Sequence, residues 1–96
     1  MENEMSYNKD DVVSVITNAG EYVGKFKDES ADAFTITKPK MLISGENGVG
    51  FAQGICVTGE TDAAELTFYK TGIVFVTPTS SIVEKAFVEA TTSIVL

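Results

Sequence analysis

The sequence contains no histidine and no tryptophan, and only one cysteine, Cys56. It has no arginine either, so every one of its basic residues is a lysine. Without imidazole there is no Ser–His or Cys–His couple and no His-ligated zinc. A lone cysteine excludes a disulfide framework within the chain. Cys56 lies in the apolar run Gly54-Ile55-Cys56-Val57, where a thiol reads as a small buried hydrophobe. Long apolar stretches are also missing: no window approaches the length of a membrane span, and the first residues, Met1-Glu2-Asn3-Glu4, are acidic. The expectation is a chain with neither signal peptide nor transmembrane helix, residing in the cytoplasm.

Positive charge is scarce as well. Fourteen acidic residues stand against 7 lysines, a net charge of −7 that repels polyanions at long range. At 44% hydrophobic residues the chain is nonetheless too apolar to be a disordered acidic tail. Its 96 residues suffice for one domain around one small core. The whole of 1–96 is therefore expected to be a single domain: a loose arm over 1–11, a barrel over 12–78 and a helix over 79–92.

The pattern of apolar residues predicts short strands. Residues 12–17 and 22–27 are β-branched and aromatic, and Asn18-Ala19-Gly20 between them supplies a hairpin turn. After a break at 28–33, Phe34-Thr35-Ile36-Thr37 alternates with the period of a half-buried strand that can run on to Ile43. Pro39 cannot donate to a ladder, so that stretch should contain an edge or a bulge. Asn47-Gly48 predicts a second hairpin, joining 41–43 to 51–57, with a polar loop over 58–64. Two more strands follow at 66–70 and 73–77. In the latter, Ile73-Val74-Phe75-Val76 is apolar at successive positions, so both faces need a cover, from the helix or from a neighbouring subunit. Pro78 stops the strand, and Ser81 with Glu84 forms a capping box. Ile82, Val83, Ala86, Phe87 and Ala90 then recur on one helical face. The fold expected is mainly β, a small antiparallel barrel of five or six strands with a C-terminal helix.

Catalytic chemistry finds little support. Asp28, Ser30 and Asp32 sit at the first three ligand positions of a calcium loop, but Ala33 replaces the turn glycine and Pro39 the bidentate glutamate, which favours a solvated acidic turn. The glycines at 45, 48, 50 and 54 fit no phosphate-binding fingerprint. Asp10 and Asp11, being adjacent, would point to opposite faces of a strand and cannot pair as acid and base. No enzyme, cofactor or metal site is implied. Lys25, Lys27, Lys38, Lys40 and Lys70 are interleaved with Phe26, Phe34, Phe68 and Tyr69, the mixture by which single strands of nucleic acid are held. Ordinary solvent-facing strand lysines give the same pattern.

The segment Tyr69-Lys70-Thr71-Gly72-Ile73-Val74-Phe75-Val76-Thr77-Pro78 resembles the second Sm motif of the Hfq family of bacterial RNA chaperones. That motif reads Tyr-Lys-His-Ala-Ile, two residues, Val, one residue, Pro; Tyr69, Lys70, Ile73, Val76 and Pro78 match in type and spacing. Val13-Ser14-Val15 followed by Gly20, Gly24 and Phe26 is similar to the first Sm motif, and Asp32-Ala33-Phe34-Thr35-Ile36 to the family's Asp-Gln-Phe-Val-Ile. The overall layout looks like the short acidic Sm-like proteins of marine cyanophages, for which the compartment would be the host cytoplasm. There are departures. Gly20 and Gly24 are closer together, the stretch from Phe34 to Tyr69 is much longer, the helix follows the barrel, and Thr71 replaces the pore histidine.

The resemblance implies a strongly bent five-stranded Sm-like (SH3-like) barrel with an extended region around its third and fourth strands. It also implies a closed homo-oligomeric ring, formed when the fourth strand of one subunit pairs with the fifth of the next, that binds single-stranded RNA or DNA near the pore. The residues matching its nucleic-acid contacts are Asp32, Phe34, Tyr69, Lys70 and Thr71. The other reading is a ring or barrel with a purely structural or protein-interaction role, as in a phage particle or an adaptor. On that reading Phe34 is a core residue and Lys70 a solvated strand end.

Overall fold

A computed structural model of the chain describes residues 7–46, 48–52, 54–56, 58–60 and 63–92. It contains β1 (Val12–Thr17), β2 (Gly20–Glu29), β3 (Ala33–Gly45), β4 (Gly48–Phe51), β5 (Glu65–Tyr69), a 3-10 turn (Lys70–Gly72), β6 (Ile73–Pro78) and α1 (Ser81–Thr91). The strands form one antiparallel sheet in the order β4-β3-β2-β1-β6, with β5 pairing β3. One edge of β3 therefore serves two partners: β5 along 33–37 and β4 along 42–45. Among the described residues β5 and β6 do not pair with each other, and the sheet is not closed.

Three irregularities interrupt the regular pairing of this sheet. Val23 faces Lys40 and Lys25 faces Thr37, so Lys38 and Pro39 together oppose Gly24. That is the bulge expected of Pro39, whose missing N–H would otherwise leave a rung unmade. Lys38 adopts φ 52 and turns its own N–H away from β2, onto the carbonyl of Ala64 at 2.9 Å. Gly24 is required at this point: a Cβ there would lie 2.6 Å from Ile36 Cδ1 and 2.9 Å from the Thr37 carbonyl oxygen. Lys27 is a second extra residue, on β2, and Val74 a third, on β6 opposite the Ile16–Thr17 step.

One face of the sheet holds the core. Val13, Val15, Phe26, Phe34 and Ile36 form its centre, rimmed by Tyr7, Tyr22, Leu66, Phe68, Ile73 and Val76. On the opposite face of β1, Ser14 is buried and its hydroxyl meets that of Thr79 at 2.8 Å, so neither polar group lacks a partner. The arm is less loose than its composition suggests. Phe26 N–H donates to the Asp11 carbonyl (2.7 Å) and Asp10 N–H to the Phe26 carbonyl (2.8 Å), while Tyr7 packs its ring against Phe26 and edge-on against Phe34. Residues 1–6 lie outside the described part.

Several boundaries differ from expectation. β3 is one continuous strand of 13 residues, and β4 ends at Phe51, with no strand among the described residues of 52–60. Gly48, at φ 104, supplies the positive dihedral of the hairpin; Asn47 lies outside the described residues. The helix is capped one residue earlier than expected. The Ser80 side chain accepts from Val83 N–H, so the Ser81–Glu84 box does not form. Of the apolar helical face only Phe87 is fully buried, against the ring of Phe51, whereas Ile82 is 81% exposed. Cys56 is exposed, not buried, because no strand or helix covers the segment that carries it. None of the helix is long and apolar enough to cross a membrane.

Candidate nucleic-acid interface

The turn between β2 and β3 is shaped by Ser30. Its hydroxyl accepts from Asp32 and Ala33 N–H at 3.3 and 3.1 Å, and its own N–H donates to the Ala33 carbonyl at 2.9 Å. This local network, which serine favours over regular pairing, brings the carbonyl of Asp32 to 2.8 Å from the N–H of Lys70. The same turn starts the β3–β5 ladder, where Ala33 faces Tyr69 and Phe34 faces Phe68. Asp32, Tyr69, Lys70 and Thr71 thus converge on one corner of the sheet, although they come from segments distant in sequence.

Phe34 is not at that surface. It is 2% exposed, its ring 5.2 Å from Phe26 and 6.2 Å from Tyr7, and it belongs to the core. Tyr69, by contrast, is 69% exposed, because odd positions of β5 point away from the core. Thr71 is exposed in the 3-10 turn. Lys70 reaches back to β2, where its Nζ donates to Glu29 Oε2 at 2.7 Å.

Beside this ion pair opens a hollow of about 310 Å³ walled by Tyr7, Phe34, Ile73, Phe75 and Val76. Its polar content is the Lys70 ammonium and the Glu29 carboxylate, with the Tyr7 ring on one side. Burial raises the Tyr7 phenol above its ordinary range, and the nearby carboxylates of Glu29 and Asp11 push it the same way, so it stays protonated near neutral pH. The arrangement offers a slot with aromatic and aliphatic walls next to a hydrogen-bonding pair. It offers no nucleophile with a base, and the described residues bring no three metal-ligating side chains together.

Sequence reasoning missed two members of this corner. Glu29 carries no motif, and its partner is 41 positions away. Tyr7 sits in the arm assigned no structure, yet it is an aromatic residue in an otherwise polar stretch, and that isolation is the signal available. A second lysine-bearing region is unlike this one. Lys38 and Lys40 line a groove of about 480 Å³ under the end of α1 together with Ala63, Ala64 and Glu65, with no aromatic side chain. No protein-family model matches the sequence, and no curated protein matches it.

Proposed function

We propose that the chain is an Sm-like subunit that closes into a homo-oligomeric ring and binds single-stranded RNA, with single-stranded DNA as the other candidate strand, at the corner formed by the 3-10 turn. The observation that carries this reading is a pair of vacant sheet edges. β5 uses one edge on β3, β6 uses one edge on β1, and only three residues separate the two strands. A connector this short usually makes a hairpin, but the described strands leave each other unpaired. Unpaired edges template pairing with another chain. Because the edges belong to different strands, such a contact is heterologous, and it must close into a ring or run on as a filament.

Side chains at this seam support the same reading. Val74 and Phe75 are 55% and 53% exposed, although the sequence predicts a strand covered on both faces, and Tyr69 adds a third exposed large side chain. A neighbouring β5 laid along β6 would bury them and complete the bent barrel. Light scattering or native mass spectrometry at micromolar concentration should find a closed assembly of roughly five to seven copies; a stable monomer overturns the reading.

The nucleic-acid part rests on the hollow beside Lys70 and on the aromatic walls it offers. A base stacked on an aromatic ring contributes about 1–3 kcal/mol, and repetition around a ring multiplies weak contacts through effective concentration. Fluorescence anisotropy with short U-rich or A-rich RNA should register binding that weakens with salt and with Lys70→Ala. An intact ring that binds no homopolymer at low salt, where phosphate contacts are strongest, overturns it. The structural or protein-interaction ring then takes its place. Two observations favour that second reading: each copy brings a net charge of −7, and the Lys70 charge is already engaged by Glu29.

A further inference from the structure

Among the described residues two ion pairs hold lysines, and they meet different amounts of water. Lys27 pairs with Glu65 at a place where both side chains are nearly half exposed, 42% and 46%. Lys70 is 37% exposed, but its partner Glu29 is only 17% exposed. A carboxylate that shielded is less well solvated than an exposed one, so its attraction for the ammonium is screened less by water. Its position is set by the backbone, since Glu29 faces Phe34 in the β2–β3 register. We propose that Glu29 acts as an internal stand-in for phosphate. It occupies Lys70 so that bare polyanions gain nothing at this corner, and a ligand exchanges the pair only when it also fills the adjoining hollow.

The chemistry follows from the contact. A carboxylate oxygen 2.7 Å from an ammonium makes the same charge-assisted hydrogen bond that a phosphate oxygen would. Being tethered, it competes at a high effective concentration that no dissolved phosphate matches. A phosphate approaching Nζ also meets the negative charge of Glu29 and of a chain that is acidic throughout. What a single strand has and a polyphosphate lacks is a flat base, and the hollow of about 310 Å³ next to Nζ, with its aromatic and aliphatic walls, has room for one. Glu29 is thereby a specificity-determining residue, selecting base-bearing strands over other polyanions. The selection of bases rests on the nucleic-acid reading above; the screening of Lys70 does not.

The test uses two probes, inorganic polyphosphate and a short A-rich RNA, on the full chain and on three variants. Glu29→Gln keeps an acceptor oxygen within reach of Nζ and removes the competing charge. Glu29→Gln with Lys70→Gln removes the uncovered cation as well. Glu65→Gln releases the exposed Lys27 and serves as the control, because an exposed pair hides little charge from solvent. Circular dichroism melts and native mass establish that each variant keeps its fold and assembly.

The expected result is that Glu29→Gln binds polyphosphate about tenfold or more tightly, with a salt slope steeper by roughly 0.7 per added phosphate contact. The double variant should return to the parent value, and Glu65→Gln should never leave it. If Glu29→Gln gains no polyphosphate affinity, or the double variant keeps the gain, the screening role is overturned, whatever the RNA does. If the parent ring fails to bind RNA while Glu29→Gln gains polyphosphate, the nucleic-acid reading falls and the screening role stands.

Discussion

β1 and β6 are six-residue strands of similar apolar content, and they pair with each other, yet they meet opposite surroundings. β1 has a partner on each edge, β2 and β6, and its Val13 and Val15 are wholly buried. β6 has β1 on one edge only, carries a bulge at Val74, and leaves Val74 and Phe75 more than half exposed. Composition is therefore a poor guide to burial here. What separates the two strands is their place in the pairing order, and that is decided by residues elsewhere in the chain. The first strand contributes its side chains to the buried core, and the second leaves large apolar side chains in solvent.

The sharpest way to break the contrast is to charge the buried strand. Val15→Asp would place a carboxylate among Phe26, Phe34 and Ile36 with nothing to pair it, a cost of several kcal/mol. That is comparable with the whole stability of a small domain, so the variant should be unfolded by circular dichroism at room temperature. Phe34→Ala comes next. As a core ring between Phe26 and Tyr7 it should cost about 3–5 kcal/mol in urea denaturation. A change within about 0.5 kcal/mol would instead mark a surface residue.

On the exposed strand the sign of the comparison should invert. Val74→Lys should leave the stability of the isolated subunit within about 0.5 kcal/mol, because the bulged side chain already faces water. Scattering should show the assembly falling to single copies, since a charged group on an edge strand opposes pairing. A variant that stays assembled would place the seam elsewhere. The smallest effect concerns pH. The Tyr7 phenol is raised by burial first and by Glu29 and Asp11 after it, so the unfolded chain ionises before the folded one does. Stability from this source is complete below about pH 10, the ordinary tyrosine value, and is lost as pH rises through the higher folded value. Thermal melts from pH 9 to 11 should show this loss in the parent chain and a weaker one in Tyr7→Phe.

Much of the strand pattern was legible because two signals agree. Alternation over 34–37 and the turn at Gly20 locate β1 to β3 nearly as they stand, whereas β4 runs over Gly48–Phe51 and shares only Phe51 with the strand expected at 51–57. Pro39 announced its bulge, since a missing donor has few places to go in a ladder. Pairing partners were another matter. Period two says which residues share a face and nothing about which strand lies alongside, so the double use of one β3 edge and the open β5–β6 corner were hidden. The helix cap falls on Ser80, because adjacent serines carry the same signal and the sequence does not choose between them. At the corner, the Tyr69–Lys70–Thr71 run stood out by its motif, whereas its backbone junction with Asp32 depends on the β3–β5 pairing, which the sequence pattern does not give. Phe34 matched a contact residue in type but sits one layer too deep, and the Glu29 partner of Lys70 leaves no local trace.

The bulge at Lys38 and Pro39 divides β3 into two stretches with separate obligations. Before it, residues 33–37 are locked between β2 and β5; beyond Met41, β3 has only β4 beside it, and the hairpin tip carries exposed Ile43 and Val49. Residues added or removed beyond Met41 in matched pairs would lengthen or shorten that hairpin without moving a single rung of the ladders that position Lys70. The chain thus keeps one region whose length is free to vary beside one whose length is fixed. Fusions and epitope insertions belong at Glu46, at the far end of the hairpin, whose β3–β4 pairing ends at Gly45 and Gly48.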